Sequence, residues 1–312
     1  MEHWLEKSIH FNFRMGELTL FTWQLPALVS NQHFTEMSSD LVSLQSFPEY
    51  FSSTREVLVI RSHPLEAPIP RLTVLSQAIR YVSSYYKRYW VEFNGDFDNY
   101  LKKFSTKSRN TLTRKIKKFT EFSGGELAWR EFVHVDEMTE FHRLALEVSV
   151  KTYQERLLDC GLPTSQAFID TMLALAKQDR VRGYILFHQS RPIAYIYCPI
   201  HDGIVFYEYV GHDPDFQRWS PGTILQYFCL KSLFDAKKFR LFDFTEGEGA
   251  HKAFFSTHSK YCADIYYFRR TWRNLAMLRL HAGVDVLSNG IVKILEKLRL
   301  KAYIKKLVRS AA

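Results

Sequence analysis

The stretch GIVFYEYVGHDPDFQRWSPGT, Gly203 to Thr223, decides how this chain is read. Its first part, Gly203 to Gly211, is short, aromatic and β-branched, the composition of a strand. Glu208 interrupts that apolar run. A carboxylate placed there either finds a partner or is desolvated and holds its proton to higher pH. Either state suits a general base; the competing reading is a carboxylate paired with a nearby Lys or Arg for structure alone. Ser220, Pro221, Gly222 and Thr223 then open a helix whose apolar residues include Ile224, Leu225, Phe228 and Leu233. The first turn of a helix leaves N–H groups unpaired beside the positive end of the dipole, where a phosphate can bind. Pro221 has no N–H, so Gly222, Thr223 and Ile224 are the expected donors. Ser220 acting only as a helix cap would produce the same pattern.

Working outward, the flanking segments alternate between helix and strand. Upstream, helices are expected over 135–158 and 165–178, then strands over Arg182 to Phe187 and Pro192 to Pro199. Downstream come a helix to Ala236, a strand from Arg240 to Phe244, a helix near Ala250 to Phe255 and a strand from Cys262 to Arg269. This interleaving indicates an α/β or α+β sheet domain. Nearer the start, Glu17 to Trp23 and Glu56 to Arg61 read as strands. Leu72, Leu75, Ile79, Val82, Tyr86 and Tyr89 recur every three or four residues and predict a helix over 72–90. Leu101 to Phe119 holds eight Lys/Arg and no acid, which is either a nucleic-acid stripe or a helix with a solvated basic face. Ser123, Gly124 and Gly125 break the chain, so the expected domains are 1–125, 126–270 and a basic tail, 271–312.

A second candidate site lies in LFDFTEGEGAHK, Leu241 to Lys252. Asp243 falls near the end of an apolar strand, and Lys252 follows on the next helix after two glycines. The two either face a substrate or form an ion pair that braces the turn. His251 could shuttle a proton near neutral pH.

Composition excludes several classes. The chain has 312 residues, 46% hydrophobic and 24% charged, with 25 Phe and 17 Tyr against 13 Gly and 10 Pro. That is a soluble globular composition of about two domains, neither collagen-like nor disordered. No apolar run reaches the roughly 18 residues of a membrane span, and the start lacks the order of a signal peptide, so a cytoplasmic protein is expected. Cys160, Cys198, Cys229 and Cys262 form no CxxC pair and read as reduced thiols. His201-Asp202 and His212-Asp213 lack zinc-site spacing, and no metal is expected. Walker, Rossmann and nucleophile-elbow motifs are missing. The net charge of +9 comes entirely from Arg269 onward, where 11 Lys/Arg face only Asp285 and Glu296. Such a tail favours an anionic partner. Ile291, Ile294, Leu295, Leu298 and Ala302 form one helical stripe, and Lys293, Lys297, Lys301 and Lys305 another, which suits either an anionic membrane face or docking on the protein itself.

Taken in order, these segments resemble a known family. Gln217-Arg218-Trp219-Ser220-Pro221-Gly222 resembles the Q/R-x-x-G-x-G/A pyrophosphate loop of GNAT acyltransferases, with Ser220 at the first Gly. Added to it are the basic segment Lys107, Ser108, Arg109, Arg114 and Lys115, then GYILFHQSRPIAY, then FDFTEGEGAHKAFF. From about Asp96 to Phe268 the set is similar to the GNAT-related acetyltransferases of cellulose and exopolysaccharide clusters (CelD-like), which are themselves similar to the Fem peptidoglycan-bridge transferases. The family's D-F-x-x-G-x-x-x-Y-K pattern is met by Gly247 and Lys252, with His251 in place of Tyr.

The resemblance implies a GNAT-like mixed sheet flanked by helices, in two halves of which only the second keeps the phosphate loop. It implies acyl transfer from acyl-CoA, acetyl-CoA above all, to an amine such as an amino sugar or other small amine of envelope or exopolysaccharide metabolism. Gln217, Arg218, Ser220, Gly222, Thr223 and Ile224 would bind the donor. Glu208, Asp243, His251 and Lys252 would do the chemistry, in the cytoplasm or at the inner membrane face, and acyl transfer itself needs no metal. Two rivals stand beside this reading: a Fem-type transferase using aminoacyl-tRNA, whose RNA would meet the Lys102 to Lys118 run, and a non-catalytic membrane-associated binding protein.

Overall fold

A computed structural model describes residues 4–15, 18–39, 51–52, 55–152 and 161–297; the side chains of 289 and 291–297 lie outside the description. The strands are β1 (Trp4–Met15), β2 (Leu18–Ser30), β3 (Val57–Pro64), β4 (Leu72–Val74), β5 (Ala78–Glu92), β6 (Trp129–Phe132), β7 (Val181–His188), β8 (Arg191–His201), β9 (Ile204–Phe206), β10 (Tyr209–His212), β11 (Leu241–Asp243) and β12 (His258–Arg269). The helices are α1 (Phe97–Leu101), α2 (Thr106–Phe122), α3 (Val135–Ser149), α4 (Gln166–Lys177), α5 (Pro221–Ala236), α6 (Ala250–Phe255) and α7 (Trp272–Lys297). The fold is mixed α/β. The chain divides into two compact units, one of residues 1–86 with 260–312 and one of residues 87–259.

In the first unit, β1 and β2 form a long antiparallel hairpin, β2 runs parallel to β3, and β12 runs antiparallel to β3. The strand order is β1-β2-β3-β12-β5, with β4 paired to β5. Helix α7 covers β1: its Leu278 is fully buried, and His281 lies 4.4 Å from the Phe11 ring while bonding the Tyr81 hydroxyl at 2.6 Å.

In the second unit, β6, β7 and β8 form an antiparallel ladder, β8 continues to β9 and β10, β9 runs parallel to β11, and β11 pairs with the end of β5. Because side chains alternate along a strand, β8 serves two cores. Ala194, Ile196 and Cys198 pack with Leu225 and Leu230 of α5, whereas Tyr195 and Tyr197 pack with Phe141 of α3 and Met172 of α4. Helix α3 crosses β7 so closely that a Cβ on Gly183 would fall 2.5 Å from the Phe141 ring.

Several expectations change here. The helix expected over 72–90 is β4 and β5. Ala78 to Val82 are consecutively buried, so β5 has no polar face to produce a period of two, and its Tyr, Trp, Val and Ile content was the better guide. Gly124 and Gly125, at φ +90° and +93°, end α2 inside the second unit and mark no unit boundary. The expected strand from Gly203 to Gly211 is interrupted at Tyr207 and Glu208. Helix α3 ends at Ser149, and residues 153–160, with Cys160, lie outside the described residues. So do the side chains of the stripe from Ile291 to Lys305. Cys198, Cys229 and Cys262 are buried free thiols. Among the described residues no helix is long and apolar enough to cross a membrane.

Candidate active site

The site grows from a parting of two strands. β9 and β11 run side by side from Ile204↔Leu241 to Phe206↔Asp243, and the Tyr207 N–H still donates to the Asp243 carbonyl at 2.9 Å. There β11 ends, while the other chain turns away and pairs as β10 with β8, the Glu208 N–H donating to the Tyr197 carbonyl at 3.2 Å. Among the described ladders β10 has no partner on its other side. The sheet therefore opens beside β10, with Tyr207 and Glu208 at the apex. The Glu208 side chain reaches solvent, yet the surrounding protein desolvates its carboxyl and raises the pKa above the ordinary value.

Helix α5 starts at the far end of β10: a Cβ on Gly222 would lie 3.8 Å from His212 Nδ1. The turn before it, Pro214–Trp219, is fixed by Asp213, which is buried, accepts from the Asp215 N–H at 3.1 Å and pairs with Lys151 at 3.3 Å and Arg191 at 2.5 Å. Ser220 caps the helix in the left-handed region, φ +57° and ψ +47°, with no side-chain capping bond. The Ile224 N–H donates to the Ser220 carbonyl at 3.2 Å. This corrects the expected donor set: Ile224 is used inside the helix, and Gly222 and Thr223 are the first-turn donors that the helix itself leaves unpaired. Gln217 and Arg218 are exposed on the same loop, the Arg218 guanidinium 5.2 Å from the Trp219 ring. Trp219 stacks on Phe122 at 4.3 Å, which in turn stacks on His188 at 4.4 Å. The end of the basic helix α2 is thus fastened to the phosphate-type loop.

Ser220 stands in a backbone region that favours glycine. A left-handed backbone costs an L-residue about 1–2 kcal/mol, and Gly almost nothing. Ser220→Gly should therefore raise the unfolding free energy by about 1 kcal/mol in urea titrations, without moving the loop.

The second expected site is assembled differently from its sequence reading. Asp243 is fully buried and forms an ion pair with Arg88 of β5; its other oxygen accepts from the Thr245 N–H at 2.8 Å. Thr245, at φ +59°, bonds the Tyr207 carbonyl through its hydroxyl at 3.1 Å. Lys252 instead donates to the Glu246 carbonyl at 2.6 Å, with the Asp243 carboxylate near enough to act on its charge. Desolvation and the Arg88 charge bring the Lys252 pKa down to about 8. His251 lies 6.1 Å from the Tyr207 ring, its pKa lowered by desolvation and by Lys252. Helix α6, which carries both, is held at its far end by the Tyr100 hydroxyl on the Phe255 carbonyl at 2.6 Å and by Lys103 on the Phe254 carbonyl at 2.9 Å. Arg88 was missed because it lies in the segment read as a helix. A strand reading of YYKRYWVE would have placed Arg88 in register with the pairing of Trp90 and Asp243.

Glu208 thus stands where β9 and β11 part, the Gly222–Thr223 turn lies at the other end of β10, and His251 and Lys252 lie on α6, with His251 beside Tyr207. Residues 106–253, just under half of the chain, match the family model described as an acetyltransferase (GNAT) domain. That match marks this stretch as an acyltransferase domain of the GNAT type, a class of domain that uses acyl-CoA. No curated protein matches the sequence. Among solved structures the chain is similar to FemX, at 10% identity over 89% of this chain and 90% of that one, TM-score 0.49. It is also similar to the C-terminal domain of a putative lysylphosphatidylglycerol synthetase from Agrobacterium fabrum, at 11% identity over 73% and 72%, TM-score 0.47. A GCN5-related N-acetyltransferase from Kribbella flavida aligns at 9% identity over 79% and 82%, TM-score 0.37.

Proposed function

We propose that this protein transfers an acyl group, an acetyl group first of all, from acyl-CoA to the amine of a small acceptor such as an amino sugar destined for an envelope polymer. The observation that carries the reading is the pair of first-turn amides at Gly222 and Thr223, standing at the end of β10, which pairs with β8 alone among the described strands. The donor's pyrophosphate sits on the helix start, and the free edge of β10 offers amides to the acyl carbonyl as it becomes an oxyanion. The amine nitrogen attacks the thioester carbon, the C–N bond forms, the C–S bond breaks, and the thiolate leaves. Glu208 takes the proton that the amine must lose. Lys252, with a pKa of about 8, is matched to returning a proton to the leaving thiolate.

The test is thermal. CoA at 100 times its Kd should stabilise the protein by about 2.7 kcal/mol. Gly222→Asp puts a negative charge on the phosphate position and should abolish that shift; an unchanged response would remove the loop from the site.

Helix α2 favours a second reading. It carries six Lys/Arg, and its Phe122 end stacks on Trp219 of the loop, a basic surface that an RNA-borne aminoacyl donor would require. Tight tRNA binding with a steep negative slope of log affinity against log salt would select that donor over CoA.

A further inference from the structure

The outward side of α7 is unlike that of a solvated helix. Thr271 caps it, accepting from the Asn274 N–H at 3.1 Å, and Asn274, Leu278 and His281 face the sheet of the first unit. The opposite side carries Trp272, Ala276, Leu280, Gly283, Val286 and Leu287, spaced by three or four residues along one stripe. Trp272 is 79% exposed, and Val286 and Leu287 are each 66% exposed. A helix covered on one side by its own sheet normally turns charges to water on the other. Here the only charges on the stripe are Arg273 and Arg279, and neither has an acidic partner among the described residues. At the start of the helix a cleft of about 720 Å³ opens beside Trp272, lined by Phe21, Trp23, Arg269, Arg273 and Met277 among others, with Glu56 its one acidic residue. Phe21, on β2, is itself half exposed.

We propose that this stripe, with Phe21 and the cleft, docks the protein on an anionic phospholipid surface. Trp272, Leu280 and Leu287 enter the headgroup boundary, and Arg273 and Arg279 meet the phosphates. Tryptophan and arginine suit that boundary because each joins an apolar body to a polar end. A second copy of the chain is the weaker occupant: two such faces, each with Arg269, Arg273 and Arg279 against Glu56 alone, would bring six arginines together with two glutamates, and like charges at an interface select against pairing. The sequence beyond the stripe carries the same sign, with seven Lys/Arg from Lys293 to Arg309 and Glu296 as the single acid. The proposal concerns residues before Gly290, and it holds whether the acyl donor is CoA or RNA.

The full-length chain is sedimented with vesicles of phosphatidylglycerol mixed into phosphatidylcholine, and with phosphatidylcholine alone. Binding is expected only to the anionic vesicles and should weaken as salt rises. Each basic residue near such a surface contributes about fivefold, so Arg273→Ala with Arg279→Ala should weaken partition about 30-fold with the tail intact. Trp272→Ala should weaken it further. All three side chains are exposed, and unchanged melting temperatures confirm folded variants. Wild-type-like binding by the variants would overturn the proposal, as would equal binding to both vesicle types or none to either. Sedimentation equilibrium showing a dimer that Leu287→Glu disrupts would assign the face to a second copy instead.

Discussion

Glu208→Gln should lower kcat by about 10²–10⁴, the usual contribution of a positioned base, and leave the affinity for CoA nearly unchanged. The substitution keeps the size of the side chain and most of its hydrogen bonding, so it removes basicity alone. Glu208 stands where β9 leaves β11, and the donor loop lies at the other end of β10, so the residue is placed toward the acyl end of the donor and away from the phosphates. Its pH signature follows from the sign of the shift. Desolvation raises the carboxyl pKa, and only the ionised form accepts a proton, so kcat should fall as pH drops through that raised value. In the Gln variant this acid limb should vanish. Near-full turnover by a folded Glu208→Gln protein would move the base to His251, whose ring approaches Tyr207 from α6.

The second large effect is on stability. Asp243 and Arg88 are buried together, and removing one member of a buried ion pair typically costs about 3–5 kcal/mol because the other charge is left without compensation. Asp243→Ala should lose about that much in urea unfolding, whereas Asp243→Leu combined with Arg88→Met should recover most of it. This pattern also separates bracing from chemistry. If Asp243 acts by holding the Thr245 turn, the activity of its variants will track their stability. Lys252→Ala, on a half-buried side chain bonded to a backbone carbonyl, should instead lower kcat, because the leaving thiolate loses its proton donor, with little change in unfolding free energy.

The second unit was largely legible in the sequence because its elements announce themselves. The Ser-Pro-Gly helix start, the glycine-bounded strands and the apolar face of α5 each follow from local chemistry. Helix α6 was bounded at Ala250 and Phe255, where it lies. The site was legible in its residue types and less so in its partners. Nothing local to Asp243 says that its counter-charge comes from a residue far back in the sequence. Nothing in FYEYVG says that the strand must pause at Tyr207, because the pause arises from β11 ending alongside it. The first unit was read least well. Tyr81, Val82 and their neighbours are buried without alternation, and chance spacing of aromatic residues then imitates a helix. Ser220 is the reverse case: a serine where the resembling motif has glycine, in a left-handed backbone that favours glycine.

The order of strands in the first unit sets a timetable for the ribosome. β12 lies between β3 and β5, and the second unit is translated up to Thr257 before β12 appears. At about 5–20 residues per second the intervening segment takes roughly 10–35 s to emerge. Only at the end of that interval does the second unit have its whole sequence available to close, and throughout it β3 and β5 wait with bare edges, the state in which strands recruit the wrong partner. A newly made chain is therefore at greatest risk from chaperone shortage between the appearance of β5 and that of β12. Slow codons placed in that interval would lengthen the exposure without changing one residue of the finished protein.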